Sequence, residues 1–392
     1  MASWSQLAPG GVLVRAVSAG PTCPTLVADG VRIQPAVRAD AAPPDFPLPV
    51  CEAALPPDTF GASIGDAPLP VPHGAPSRVV VIGDAGCRLE EGAPVQDCND
   101  ARAWPFAQVA RSAAAWGPDL VIHVGDYVYR EEPCPPKIAG CAGTPWGDNW
   151  AAWQADLFAP AAPLLRAAPW VFVRGNHEIC SRGGDGWFRL LDPRPYTGAC
   201  EEYTEPYALD LGDLRLVVLD SAQANDFSAR PDEVAVYAAQ FAQVAELAGP
   251  NTWLVQHRPL WAIGQDPRNP TPEGLYRTNP TLEAASGNAL PLGVQLVLSG
   301  HIHIWEALTF ADGRPPQMVA GNAGTLLDPL PSGSLDGLAI AGTTVARGTA
   351  RQEWGFTTLE RTEGGWLATL RDVAGAPLLT CAVADRDLSC GP

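Results

Sequence analysis

Five short stretches hold nearly all the side chains that could do chemistry: VIGDAG with Asp84, VGDYVY with Asp126 and Tyr129, VRGNHE with Asn176 and His177, LVQH with His257, and LSGHIH with His301 and His303. Carboxylates, imidazoles, an amide and a phenol are the donors that hold metal ions. The chain has six histidines, and four of them fall in these stretches. Each residue taken alone has an ordinary reading: an Asp capping a turn, a core His satisfied by a carbonyl, a Tyr filling a groove. Five in order, each closing an apolar run, point instead to one metal site.

The apolar runs themselves read as strands: RVVVIG (78–83), DLVIHVG (119–125), WVFVRG (170–175), LRLVVLD (214–220), TWLVQH (252–257) and VQLVLSG (294–300). Between several lie helical patterns, notably 100–116 and 231–248. Such alternation indicates an α/β architecture with both sheet faces covered. In α/β sheets ligands bind beyond the carboxyl ends of the strands. The glycine before each ligand (Gly83, Gly125, Gly175, Gly300) is expected to permit the sharp turn each loop needs. The tail beyond about 350 alternates like an antiparallel hairpin. Residues 1–75, rich in Pro, Ala and Gly, are expected to form a small β-rich N-terminal module, with a linker near 67–77 and a catalytic domain over 76–392.

Net charge is −18 and Lys137 is the single lysine, so no basic face exists to neutralise a nucleic-acid backbone. A metal could still supply local positive charge for a small anion. No apolar run approaches the roughly 20 residues that span a bilayer. The ten cysteines have no CxxC spacing and pair naturally with their sequence neighbours, as 23–51, 87–98, 134–141, 180–200 and 381–390. Disulfides imply an oxidising compartment, periplasmic or extracellular. Met1-Ala-Ser-Trp carries neither a basic nor an apolar leader segment, and the expectation is that a signal peptide has been removed.

The order GDAG, GDYVY, GNHE, VQH, GHIH over 84–303 resembles the purple acid phosphatase branch of the calcineurin-like, binuclear metallophosphoesterases. The resemblance implies a β-sheet sandwich flanked by helices. Other branches usually begin with Asp-x-His; here that third position is Gly86, and Tyr129 is available as the replacement ligand. The resemblance further implies two metals bridged by Asp126. Asp84, Tyr129 and His303 would complete the first site, and Asn176, His257 and His301 the second. Two carboxylates and a phenolate are hard, anionic ligands suited to Fe³⁺; two imidazoles and an amide suit Zn²⁺, Mn²⁺ or Fe²⁺. The implied reaction is hydrolysis of a phosphate ester by metal-bound hydroxide. Monoesters are the first expectation, diesters the alternative on the same core, and a non-catalytic metal-binding protein a third reading.

His177 resembles the family's non-ligand histidine, which hydrogen-bonds the substrate or leaving group. Better-known relatives carry a further acid histidine downstream of the second-site histidine, and RPLWAIGQDPRNP (258–270) has none. The proton would then come from His177, from water or from a carboxyl group such as Asp266. Arg182 and Arg258, in loops near the ligands, are candidates to hold a substrate phosphate. Trp146, Trp150, Trp153 and Trp187 either line a pocket or form the buried face of a helix. His123 is expected in the core, and Asn322 is open. Substrate choice should lie in loops 130–168 and 181–205.

Overall fold

The computed structural model describes residues 2–90 and 92–391. Two large sheets pack face to face. In the first, the strands Arg78–Ile82, Leu120–His123 and Trp170–Phe172 run parallel at the centre of eleven. In the second, Leu214–Val218, Thr252–Val255, Val294–Ser299 and Gln317–Ala320 run parallel within eight. Period-two alternation divides the side chains of each strand between two cores. Val79, Val81, Ile122 and Val171 meet Leu216, Trp253, Val255 and Leu298 between the sheets. Val80, Ile82, Val121 and Phe172 face outward, against Phe106, Val109 and Ala113 of a covering helix. On the other outer face, Val217, Leu254 and Val297 pack on Tyr237, Phe241 and Val244. Strands buried on both faces must be apolar throughout, which is why they read as unbroken Val, Ile and Leu runs.

The two main helices sit where the sequence puts them, with one shortened start. The first spans Phe106–Trp116 instead of beginning near 100, because Pro105 cannot continue a helix and disfavours helical backbone before it. The second spans Pro231–Leu247, with Pro231 in its first turn and Asp232 and Glu233 near its positive end. The tail forms a four-strand meander, Gly355–Thr362 to Asp387–Gly391, docked antiparallel on Arg78–Ile82. All five cysteine pairs are bonded as expected from sequence neighbours.

The expected boundary at 75/76 does not divide the structure. Ala2–Ala8 lies parallel beside Trp170–Phe172, with Gln6 opposite Trp170, and Gly11–Val17, Val50–Ala54 and Ala36–Ala39 extend the same sheet. Buried Arg15 donates to the carbonyls of Leu190 and Asp192, each at 2.7 Å. The short strands Leu26–Ala28, Val31–Ile33, Ala62–Ile64 and Ala67–Leu69 form a separate four-stranded sheet, over a small core of Val14, Leu26, Ile64 and Leu69. An exposed parallel edge is a ready template for another strand. The strand ASWSQLA (Ala2–Ala8) fills it.

Candidate metal centre

The strands that end in the five motifs belong to both sheets, and their carboxyl ends converge on one cleft. Asp84, Asp126 and Asn176 come from the first sheet; His257, His301 and His303 come from the second. The chain turns at the ligands themselves: Asp84, Asp126 and His301 have φ of 56°, 58° and 75°. Left-handed backbone is costly for residues with a Cβ and concentrates at functional sites. Of the four glycines expected to carry the turns, only Gly125 has positive φ. Gly175 serves a different need, since a Cβ there would strike the Asp126 carboxylate.

Two donor clusters share one carboxylate. In the first, the Tyr129 hydroxyl is 2.9 Å from each of Asp84 Oδ1, Asp126 Oδ2 and His303 Nε2. In the second, His257 Nε2 lies 3.1 Å from Asp126 Oδ2 and 3.0 Å from Asn176 Oδ1. Donor atoms of Asp84, Asp126 and His303 lie within 4.8 Å of one another, and so do those of Asp126, His257 and His301. Asp126 belongs to both groups. All of these side chains are buried or nearly so, with His301 the most open.

A pair of cations fits this arrangement. The Tyr129 hydroxyl has one proton and three neighbours, so at most one of the three contacts receives it. Burial and the charges of Asp126 and Asp84 push the phenol well above its ordinary range, so a phenolate here requires added positive charge. Burial, Arg258 and His257 hold His301 well below its ordinary value and favour the neutral imidazole, the form that coordinates a metal. Burial opposes ionisation of Asp126, but His257 and His177 outweigh it and keep the carboxyl well below the usual range. His257 rises to about 9 against its own burial because Asp126 is beside it.

The ligand loops are clamped by two carboxylates that sequence reasoning left unassigned. Glu178 Oε1 accepts from the N–H of Tyr127 and Val128, and Oε2 from the N–H of Asp126 and Gly175, at 2.8 to 3.3 Å. Asp156 accepts from the N–H of Cys87 and Tyr129 and from Arg130 Nε, at 3.1, 3.0 and 2.5 Å. Between them lies Gly86, the position where other branches place histidine. A Cβ there would sit 2.6 Å from Tyr127 O and 2.8 Å from both Asp156 Oδ2 and Tyr129 N. No side chain fits, so the fourth donor of the first cluster comes from Tyr129.

His177 and Arg182 line the cleft with the ligands. His177 Nδ1 is 2.6 Å from Glu131 Oε1, its Nε2 is 3.7 Å from Asp126 Oδ2, and its ring lies against Tyr129. Arg258 is a correction. It does not line the cleft itself; its guanidinium pairs with Asp226, which does, and lies 3.0 Å from His301 Nε2, so it is engaged by protein groups and not open to a substrate phosphate. Asp266 reaches the rim, but hydrogen bonds from Arg268 hold its carboxyl below the usual range, so it keeps no proton to give. Trp153 and Trp187 are core, and none of the four tryptophans lines the cleft. His123 is core, stacked on Tyr127, with burial lowering it to about 3. Asn322 is buried and its amide donates to Glu353 O. Arg88, Asp226 and Asp328 also line the cleft and went unread in the sequence.

The family model for calcineurin-like phosphoesterases matches residues 77–305, more than half the chain. The chain belongs to that family. Its members are hydrolases of phosphoric ester bonds, and the match encloses all five motifs. Two solved structures share the fold over nearly the whole chain. The purple acid phosphatase PPD1 from yellow lupin (Lupinus luteus) seeds is 15% identical, with 96% of this chain and 73% of that one covered and a TM-score of 0.61. PhoD is 12% identical, with 100% and 91% covered and a TM-score of 0.62. No curated protein sequence matches the chain significantly. No helix among the described residues is long and apolar enough to cross a membrane.

Proposed function

We propose that this phosphoesterase is a secreted hydrolase of phosphate monoesters with a Tyr129-ligated binuclear centre of the purple acid phosphatase type. The observation that carries the reading is the Tyr129 hydroxyl, set 2.9 Å from two carboxylates and an imidazole with a single proton of its own to share. Asp84, Tyr129 and His303 would hold the first metal, Asn176, His257 and His301 the second, with the Asp126 carboxylate shared between the two groups. The donor types favour Fe³⁺ in the first position and Zn²⁺, Mn²⁺ or Fe²⁺ in the second. When bound, such a pair supplies positive charge for the phosphoryl oxygens and an acidified water as nucleophile. Three anionic side chains cannot offset a trivalent and a divalent cation, so the loaded centre attracts a phosphate dianion even in an acidic protein.

The protein's own groups then divide the work. The Asn176 amide and the His257 imidazole stay in register because Val124 O lies 2.8 Å from His257 Nδ1 and fixes the ring. His177, with Glu131 against its Nδ1, turns Nε2 toward the cleft, where it hydrogen-bonds the leaving oxygen and gives it a proton. Arg182 Nε donates to the same Glu131 at 2.7 Å and steadies that face. Five disulfides support an oxidising compartment.

The test is a visible absorption spectrum with elemental analysis, on the wild-type chain and on Tyr129→Phe. The wild type should show a violet or pink band and about one iron per chain. The variant should keep its fold and lose the band. A band that survives Tyr129→Phe would assign the phenolate to another tyrosine. A colourless wild type loaded with two divalent ions would move the centre out of the ferric class.

A further inference from the structure

One wall of the cleft is built by two chain segments lying side by side. Leu89 pairs in parallel with Arg130; Leu89 N donates to Tyr129 O at 2.8 Å and Glu131 N donates to Leu89 O at 3.0 Å. This sets Arg88, Glu90 and Glu131 along a rail beside Tyr129. Glu90 bridges two guanidinium groups. Its Oε2 accepts from Arg88 Nε and Nη2 at 3.1 and 2.9 Å, and its Oε1 accepts from Arg182 Nη2 at 3.0 Å. Arg182 Nε donates to Glu131 at 2.7 Å. Both arginine side chains are 22% exposed and line the cleft, and neither Nη1 has a partner among the described residues.

Arg88 is held in place from behind. Its neighbour Cys87 is bonded to Cys98, its N–H donates to Gln96 Oε1 at 3.0 Å, and its carbonyl accepts from Gln96 N at 3.0 Å. Gln96 is itself buried and donates to Ala103 O and Gly324 O at 2.7 and 2.9 Å. Arg88 lines the same cleft as Asp126, Asn176, His301 and His303. Among the described residues, the wall sets two arginines against two glutamates. It therefore does not gather loose anions; it offers fixed N–H groups next to a cationic centre.

We infer that Arg88, with Arg182 beside it, binds the phosphoryl oxygen that faces away from the metal pair and thereby selects phosphate monoesters over diesters. The inference rests on the phosphoesterase reading above and adds a residue that determines specificity. A monoester dianion presents to a guanidinium a third non-bridging oxygen that shares its two negative charges, a strong charge-assisted acceptor. A diester presents an uncharged ester oxygen and a carbon there, which leaves the guanidinium unpaired.

The experiment compares the wild type, Arg88→Met and Arg88→Lys with metals loaded. It measures kcat/KM for 4-nitrophenyl phosphate and bis(4-nitrophenyl) phosphate, and inorganic phosphate affinity by calorimetry. Arg88→Met should lower monoester kcat/KM by about 10- to 100-fold and weaken phosphate binding by a similar factor, with the bis-ester changed by less than about 3-fold. Arg88→Lys should recover part of the loss. Unchanged metal content and melting temperature confirm that the variants fold. Equal losses on both esters, or no loss on either, would overturn the inference. If the wild type turns over neither ester, the phosphoesterase reading fails on its own; phosphate affinity unaltered by Arg88→Met then overturns the Arg88 contact separately.

Discussion

Glu178→Gln is the sharpest perturbation of the loop that carries the shared carboxylate. Glu178 is fully buried, and each of its oxygens accepts two backbone N–H groups. Glutamine keeps the shape but has one accepting oxygen; its amide nitrogen only donates. Either orientation of the amide leaves two buried N–H groups facing another donor. At about 1–3 kcal/mol for each stranded group, and with some relaxation of the loop, the loss is about 2–4 kcal/mol. The stranded groups belong either to Tyr127 and Val128, just past the shared ligand, or to Asp126 and Gly175, at the ligands themselves. Metal affinity should therefore fall by about 10- to 100-fold, as when a supporting partner of a ligand is removed. Chemical denaturation after chelator treatment, at about pH 9 where the carboxyl is ionised, reads the stability term, and metal titration of the same protein reads the affinity term. A different result has a physical basis: burial and the charge of Asp126 push the Glu178 carboxyl up to about 8 in the absence of cations. A protonated carboxyl would be mimicked by glutamine. Unchanged stability together with unchanged affinity would refute the ionised, four-fold acceptor described here.

Gly86→Ala places a methyl against Tyr127 O, Asp156 Oδ2 and Tyr129 N, none of which can swing aside cheaply; it should cost about 1–3 kcal/mol in thermal or chemical unfolding and weaken metal binding, and an unperturbed variant would remove the steric reason for a tyrosine ligand. Glu306 is buried beside the Ile263 N–H, and burial raises its carboxyl from 4.5 to about 8. The folded state therefore holds the proton more tightly, so its stabilising effect is complete below the unfolded value and is lost as pH rises from 4.5 toward about 8, at up to about 1.4 kcal/mol per unit. Glu306→Gln should match the wild type near pH 5 and exceed it near pH 9; parallel stability profiles would contradict this.

Much of the centre could be read in the sequence because strand burial and ligand position are both local signals. A strand buried on two faces must be an apolar run, and the residue that follows it emerges at the sheet end, so VIGD and VQH announce their geometry. The cysteine pairs were legible for the same reason, since each closes a short loop. The residues that hold the ligands were not. Arg182 meets Glu90 across 92 positions of sequence, and Asp156 meets Cys87 across 69. No spacing rule links such residues. Glu178 stood inside a motif and was passed over because its partners are backbone N–H groups, which leave no compositional trace. Arg258 follows a ligand directly, but its pairing with Asp226, 32 positions away, has no sequence signal. The N-terminal strands were assigned to a module because edge availability is a property of the finished sheet.

The same distinction explains how an acidic chain can keep this centre at all. Asp84, Asp126 and Tyr129 crowd acceptor atoms at 2.9 Å with too few protons among them, an arrangement that flexible loops would relax by turning one side chain outward. Here the turns are made at the ligands, in left-handed backbone, and the peptides on either side are tied to Glu178 and Asp156 beneath them. Turning Asp126 away would give up its contacts with the His177 N–H and with His257 as well as with Tyr129. The donors are thus held in a geometry that only added positive charge completes. The sandwich supplies the rigidity, and the repulsion it tolerates becomes affinity for cations.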